Sequence, residues 1–286
     1  CTLRDGSNAI NFKFDQKLTK IVLEHLEKSG IEWIEMGHGL GLGATEKSSM
    51  PAPLSDLEYM ELAKSTLKHS KYGFLADRFS TKKDIKLAAQ HKVGFIRIGL
   101  DPNEIDQGED LIKYAKSHNL VVFIALKKIY SITDMKEYIS ILNKLDKWGV
   151  DLVTLMDSAG TMLPEEVKNY VTQGKINSNI SLGFHGHNNL QLAIVNTMSA
   201  IRAGIDSVDV SVGGLGRSAG NAPTEILALL LDKYEWSKSL NFKILSDLND
   251  RYIFPLIESE NRFSSEALTF GFAGFHSGFF PLIKKV

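Results

Sequence analysis

The segment Phe184-His185-Gly186-His187 sets two imidazoles two positions apart. In a strand, residues i and i+2 lie on the same face, so both rings can be aimed at one divalent ion. A carboxylate would complete the set, and Asp5 in Arg4-Asp5-Gly6 is the candidate. Asp5, His185 and His187 offer two nitrogens and one oxygen, with positions left open for water or substrate. That mixture suits Mn²⁺, Mg²⁺, Fe²⁺ or Zn²⁺. There are plainer readings: a chance His-x-His is common, and Asp-Gly is also a frequent surface turn. The elements around them decide between these.

Short apolar runs of strand length alternate with amphipathic stretches almost throughout: CTLR, WIEMG (33–37), YGFLA (72–76), FIRIG (95–99), LVVFIA (120–125), DLVTLM (151–156), ISLGFH (180–185) and SVDVSV (207–212). Between them, sets such as Leu18, Ile21, Val22, Leu26 and Met135, Tyr138, Ile139, Leu142 recur at helical steps. Eight βα units predict an α/β fold, a (β/α)8 TIM barrel over residues 1–235, rather than a doubly wound sheet. Residues 236–286 break the rhythm and read as a short C-terminal helical extension.

Barrel sites form at the C-terminal ends of the strands, and polar residues gather there: Arg4, Asp5, Glu35, His38, Arg97, Ser158, His185, His187 and Asn221. Glu35, Arg97, Ser158 and Asn221, with Arg4, are the candidate substrate-binding residues. Charges inside apolar strands, as at Glu35 and Arg97, need partners. Asn221 precedes Pro223 and can equally start a helix, and Asp157 can be a turn residue. The glycines of GGLGRSAGN resemble, weakly, a phosphate-binding loop.

The 286 residues carry a formal net charge of −1 and one cysteine. That speaks against a nucleic-acid binder, a disulfide framework and a thiolate metal cluster. A cytoplasmic location is expected, with no membrane segment and no signal peptide. Because Cys1 opens the chain in place of Met, a few residues are expected ahead of it.

TLRDG, FHGHNNL and GGLGRSAGNAPTE together resemble the DRE-TIM metallolyase superfamily (HMGL-like, or pyruvate carboxyltransferase domain). Within it, IEMGHGLGL, IRIGLDPNEID, LMDSAGTMLP and LTFGFAGFHSGF are most similar to the 4-hydroxy-2-oxovalerate aldolases. The resemblance implies a divalent ion, Mn²⁺ or Mg²⁺ first, held by Asp5, His185 and His187, with Asn221 close by and Arg4 facing the enolate oxygen. It implies cleavage of a 4-hydroxy-2-oxo acid to pyruvate and an aldehyde through a metal-bound enolate. Two residues depart from the pattern. Asn8 stands where those aldolases have a histidine, and His276 falls where they have a tyrosine; His276 and His38 are therefore the candidate proton-transfer residues. Competing readings are a Claisen-type acyl transferase of the isopropylmalate or homocitrate synthase kind, and a metal-binding barrel lacking the usual base. The resemblance also implies an aldehyde dehydrogenase partner. Separately, the tail phenylalanines Phe270, Phe272, Phe275, Phe279 and Phe280 can cover the barrel mouth, pack on another subunit in a homodimer or, equally, pack into the core of this chain.

Overall fold

A computed structural model describes residues 1–257 and 264–275. Seven parallel strands, hydrogen-bonded in chain order, curl into a barrel-like sheet: β1 (Trp33–Met36), β2 (Lys71–Ala76), β3 (Phe95–Leu100), β4 (Val122–Leu126), β5 (Leu152–Asp157), β6 (Ser181–Gly186) and β7 (Ser207–Asp209). Helices alternate with them, as the sequence periodicities predict. The helix Gln16–Lys28 buries Val22, Leu23 and Leu26 and is started by Asp15, whose carboxylate accepts from the Leu18 N–H at 2.7 Å. Each such buried aliphatic side chain contributes roughly 1.5–3 kcal/mol. Among the described residues, no helix is long and apolar enough to cross a membrane.

The expected first strand is a correction. Cys1-Thr2-Leu3-Arg4 folds as turns because its carbonyl–amide pairs close locally: the Arg4 and Gly6 N–H groups both donate to the Cys1 carbonyl, at 3.1 and 3.2 Å. The segment still lies against β7. The Cys1 ammonium donates to the Val210 carbonyl at 2.9 Å, and the Val212 N–H donates to Thr2 Oγ1 at 2.9 Å. The last predicted strand is likewise shorter than 207–212 and ends at Asp209.

Alternation along the strands arranges the interior in layers. At the N-terminal end, Phe95, Phe123 and Leu152 form an apolar plug with Trp33 against it, the Phe95 and Phe123 rings stacked at 4.7 Å. Gly73 makes room for this plug: a Cβ there would stand 2.4 Å from the Phe95 ring. Above the plug lie Glu35, Arg97, His185 and Asp209, all buried. Highest are Asp77, Asp101, Lys127, Ser158 and His187, which line the mouth.

Beyond the sheet, the helix Phe242–Leu248 follows Asn241, whose N–H donates to the Ser29 carbonyl at 2.8 Å. The helix Ser265–Ala273 reaches the mouth, where the Ala267 carbonyl accepts from Asn189 Nδ2 at 3.0 Å. Phe270 is buried there, while Phe272 is 86% exposed. His276, Phe279 and Phe280 lie outside the described residues.

Candidate active site

A cavity of about 750 Å³ opens at the C-terminal ends of the strands. Asp5, His185 and His187 converge beside it, each offering one donor atom and all three atoms within 4.8 Å of one another. None is more than 5% exposed. Three elements deliver them: the turn leading into the 3-10 helix Gly6–Ile10, the end of β6, and the residue just beyond it.

The Asp5 carboxylate is fixed from both sides. Its Oδ1 accepts from Arg4 Nη1 at 2.9 Å and its Oδ2 from Asn221 Nδ2 at 2.9 Å. Burial alone would raise this carboxyl, but Arg4, His187, His185 and Arg217 hold it well below the usual carboxylate range.

His185 is oriented from behind. Its Nδ1 lies 3.2 Å from Asp209 Oδ2, while Arg97 grips the same carboxylate through Nη1 and through Nη2 at 3.0 Å. Burial opposes ionisation of Asp209, yet Arg97 keeps its carboxyl far below the usual range. An ionised acceptor requires the proton on Nδ1, and in the neutral imidazole this tautomer leaves the lone pair on Nε2. That Nε2 is buried and has no hydrogen-bond partner among the described residues. A second potential donor set, Cys1, His185 and Asp209, shares this histidine. Its carboxylate is already committed to Arg97.

Arg4 Nε donates to Glu35 Oε2 at 2.7 Å, and Arg97 Nη1 reaches the same oxygen at 3.4 Å. Asp5, Arg4, Glu35, Arg97, Asp209 and His185 therefore form one buried chain of alternating charge. Arg4 lines the cavity, and its Nη2 has no partner among the described residues.

Three expectations change against this geometry. Glu35 and Arg97 do not line the mouth cavity; they line another at the opposite end of the sheet, with Cys1 and Asp209. Two buried charges had to find partners: Glu35 takes Arg4 at 2.7 Å, Arg97 takes Asp209, and the two reach each other at 3.4 Å. His38 lies behind the wall, stacked on Phe12 at 4.0 Å. Its Nδ1 accepts from the Leu40 N–H at 3.1 Å and its Nε2 donates to the Met50 carbonyl at 2.8 Å, so neither nitrogen is free for proton transfer. Burial also holds this imidazole below its ordinary pKa. In the glycine-rich loop the Gly213 N–H donates to Glu225 Oε2 at 3.0 Å and the Gly214 and Gly220 N–H groups donate to the Ser211 and Arg217 carbonyls, so these three glycine amides are not turned toward an anion.

Ser158 lines the cavity, where its Oγ accepts from the Lys128 N–H at 3.0 Å. Asn221 is buried beneath the loop, with Oδ1 unpartnered among the described residues. Asn8 lines the cavity and its amide donates to the Asp5 carbonyl at 3.0 Å. Asp157 accepts from the Thr161 and Met162 N–H groups, as expected of a turn residue. Sequence reasoning missed Asp209, although an acid at an alternating position of SVDVSV was a signal. It also missed Asp77, Asp101, Lys127 and Arg217 around the mouth.

A family model described as HMGL-like matches residues 1–251. Curated relatives include the 4-hydroxy-2-oxovalerate aldolase of Desulfitobacterium hafniense, 30% identical over 99% of this chain and 85% of its own. That of Thermomicrobium roseum is 34% identical over 97% of this chain and 78% of its own. Two solved structures share the fold. One is the N-terminal domain of an aldolase candidate from Bacteroides vulgatus, with TM-score 0.85 at 24% identity, covering 100% of this chain and 98% of that one. The other is the carboxyl transferase domain of Rhizobium etli pyruvate carboxylase, with TM-score 0.81 at 16% identity, covering 99% and 51%.

Proposed function

The chain belongs to the HMGL-like family, and from that premise we propose that this lyase is a divalent-metal-dependent aldolase. It cleaves a 4-hydroxy-2-oxo acid to pyruvate and an aldehyde. The observation that carries this reading is the convergence of Asp5, His185 and His187, residues from distant parts of the chain, beside a cavity that Arg4 also lines.

The donor set fits a metal. A buried nitrogen left without a partner costs about 1–3 kcal/mol, and His185 Nε2 is such an atom. Asp5, His185 and His187 would hold the ion, with Mn²⁺ or Mg²⁺ favoured. When bound, it supplies Lewis acidity toward the carboxylate and 2-oxo oxygens of the substrate.

The remaining roles belong to the protein. Arg4 Nη2 offers an N–H to the oxygen on which negative charge develops, and its bonds to Asp5 and Glu35 hold it in place beforehand. In the reaction, a base takes the proton of the 4-hydroxyl group, and the C3–C4 bond breaks. The aldehyde departs, and the electron pair passes into pyruvate enolate, which is protonated at C3. Asn8 cannot accept that proton at neutral pH, and His38 is engaged at both nitrogens. His276 is the base we assign.

One observation favours a second reading, a metal-binding barrel without turnover: the cavity position of Asn8, spent on the Asp5 carbonyl. Metal analysis combined with pyruvate release from a panel of 4-hydroxy-2-oxo acids separates the two. The aldolase reading expects bound metal, pyruvate release, and at least about a hundredfold loss of turnover in His276→Ala. Bound metal with no pyruvate from any member of the panel would overturn it.

A further inference from the structure

Opposite the Asp5–His187 side of the mouth, the inward positions just beyond three neighbouring strands are all charged. Asp77 follows β2, Asp101 follows β3, and Lys127 with Lys128 follows β4. All four line the same cavity as Arg4, Asp5 and His187.

Their pairing is uneven. Lys128 Nζ is bound tightly to Asp101 Oδ2 at 2.6 Å. Lys127 Nζ instead sits between two carboxylates, 3.4 Å from Asp77 Oδ2 and 3.5 Å from Asp101 Oδ1. Both distances exceed the 2.7–3.2 Å range of a well-formed hydrogen bond. A spread ammonium between two acceptors thus faces the cavity without a short partner. The arrangement is built, because Gly99 beneath it makes the room: a Cβ there would come within 3.0 Å of Asp77 Oδ2.

The chemistry of this wall selects by hydrogen bonding. Two carboxylates and two ammonium groups sum to no charge, so neither an anionic nor a cationic group gains overall. Two other cations line the same cavity: Arg78 lies over the Phe79 ring at 4.9 Å, and Arg217 interacts electrostatically with Asp5 first and with Asp77 as well. An alkyl chain pressed here would strip water from charged groups and return nothing. A hydroxyl group, both donor and acceptor, can answer Lys127 and Asp77 at once.

We propose that Asp77, Lys127 and Asp101 form the subsite for the aldehyde half of the substrate, and that this half carries hydroxyl groups beyond the reacting carbon. The inference rests on the aldolase reading, with the 2-oxo acid head at the Asp5–His187 side and the chain beyond C4 crossing the mouth. It makes Asp77 and Lys127 specificity residues. A site built to bond a hydroxyl discriminates strongly against the analogue that lacks it.

The test uses the full chain with Mn²⁺ and two assays. Exchange of the methyl protons of pyruvate in D2O, followed by NMR, reports enolate formation and so the aldolase reading by itself. Condensation of pyruvate with glycolaldehyde and with propanal, aldehydes of matched size, reports the subsite as a ratio of kcat/KM. The expected ratio favours glycolaldehyde at least about tenfold, and Asp77→Leu and Lys127→Met each bring it toward one. Damage to folding or metal binding would lower both rates and leave the ratio unmoved. Exchange together with a preference for propanal, or a ratio unchanged in both variants, overturns the subsite while sparing the aldolase. A tenfold preference for glyceraldehyde 3-phosphate over glyceraldehyde overturns it in favour of an anion site. Should exchange be absent, calorimetric binding of 4,5-dihydroxy-2-oxopentanoate and its 5-deoxy analogue decides: tighter binding of the former, lost in Asp77→Leu, supports the subsite, and equal binding overturns it.

Discussion

His185 Nδ1 lies 3.2 Å from Asp209 Oδ2, and the same carboxylate is gripped by both terminal nitrogens of Arg97. The pair sets which nitrogen of His185 is presented toward Asp5 and His187. It also ties the histidine, through Arg97, Glu35 and Arg4, to the opposite ligand candidate Asp5.

Substituting Asp209 tests that linkage. Asp209→Asn keeps an acceptor for His185 but removes the charge that holds Arg97. Mn²⁺ affinity is expected to fall about 10- to 100-fold. The uncompensated guanidinium should also cost about 3–5 kcal/mol of stability. Titration calorimetry and urea denaturation read the two effects separately, and an unchanged Mn²⁺ affinity would remove Asp209 from the positioning role.

Arg4 should matter to rate more than to metal. Arg4→Lys retains a cation near Asp5, but its compact ammonium cannot reproduce the planar fork that sends Nε to Glu35, Nη1 to Asp5 and Nη2 elsewhere. A loss of about 10²–10³ in kcat for pyruvate release is expected, with bound Mn²⁺ near one per chain. A near-normal kcat would show that Nη2 does not face the developing charge.

Asp157 gives a pH dependence with a defined sign. Burial raises its carboxyl to about 6 in the fold, from 3.8, despite the amide hydrogen bonds from Thr161, Met162 and Gly160. The folded state therefore holds this proton more tightly than the unfolded chain, so stability falls as pH rises from about 4 through about 6. Asp157→Asn removes the buried charge. Urea midpoints should favour the variant over the wild type at pH 8 and converge at pH 4; a gap of equal size at both would refute the assignment.

Gly73→Ala probes the plug beneath the site. The added methyl would stand 2.4 Å from the Phe95 ring, and overpacking of this kind costs about 1–3 kcal/mol. Thermal unfolding should report a lower Tm with Mn²⁺ binding retained; an unchanged Tm would mean that the ring moves aside freely.

The sequence by itself determined the alternating α/β architecture, the seven strands from WIEMG to SVDVSV within a few residues, and the shared face of His185 and His187. Those follow from local periodicity, which repeats every two residues in a strand and every 3.6 in a helix. It also made Asp5 the third candidate, as a carboxylate at the end of the first predicted strand. Only the tertiary structure decided depth. Glu35 and Arg97 were correctly read as partner-seeking charges, but they share an inward face with residues above them. Arg97 and Asp101 differ by four positions, about 13 Å along the strand direction, and that separation makes one a buried brace and the other a wall of the mouth. The first predicted strand failed for a related reason, since apolar character does not fix where a chain's amides find their carbonyls. Asp209 was visible as an acid in a strand, yet its meaning depended on Arg97, 112 residues away, and only folding brings those charges into contact.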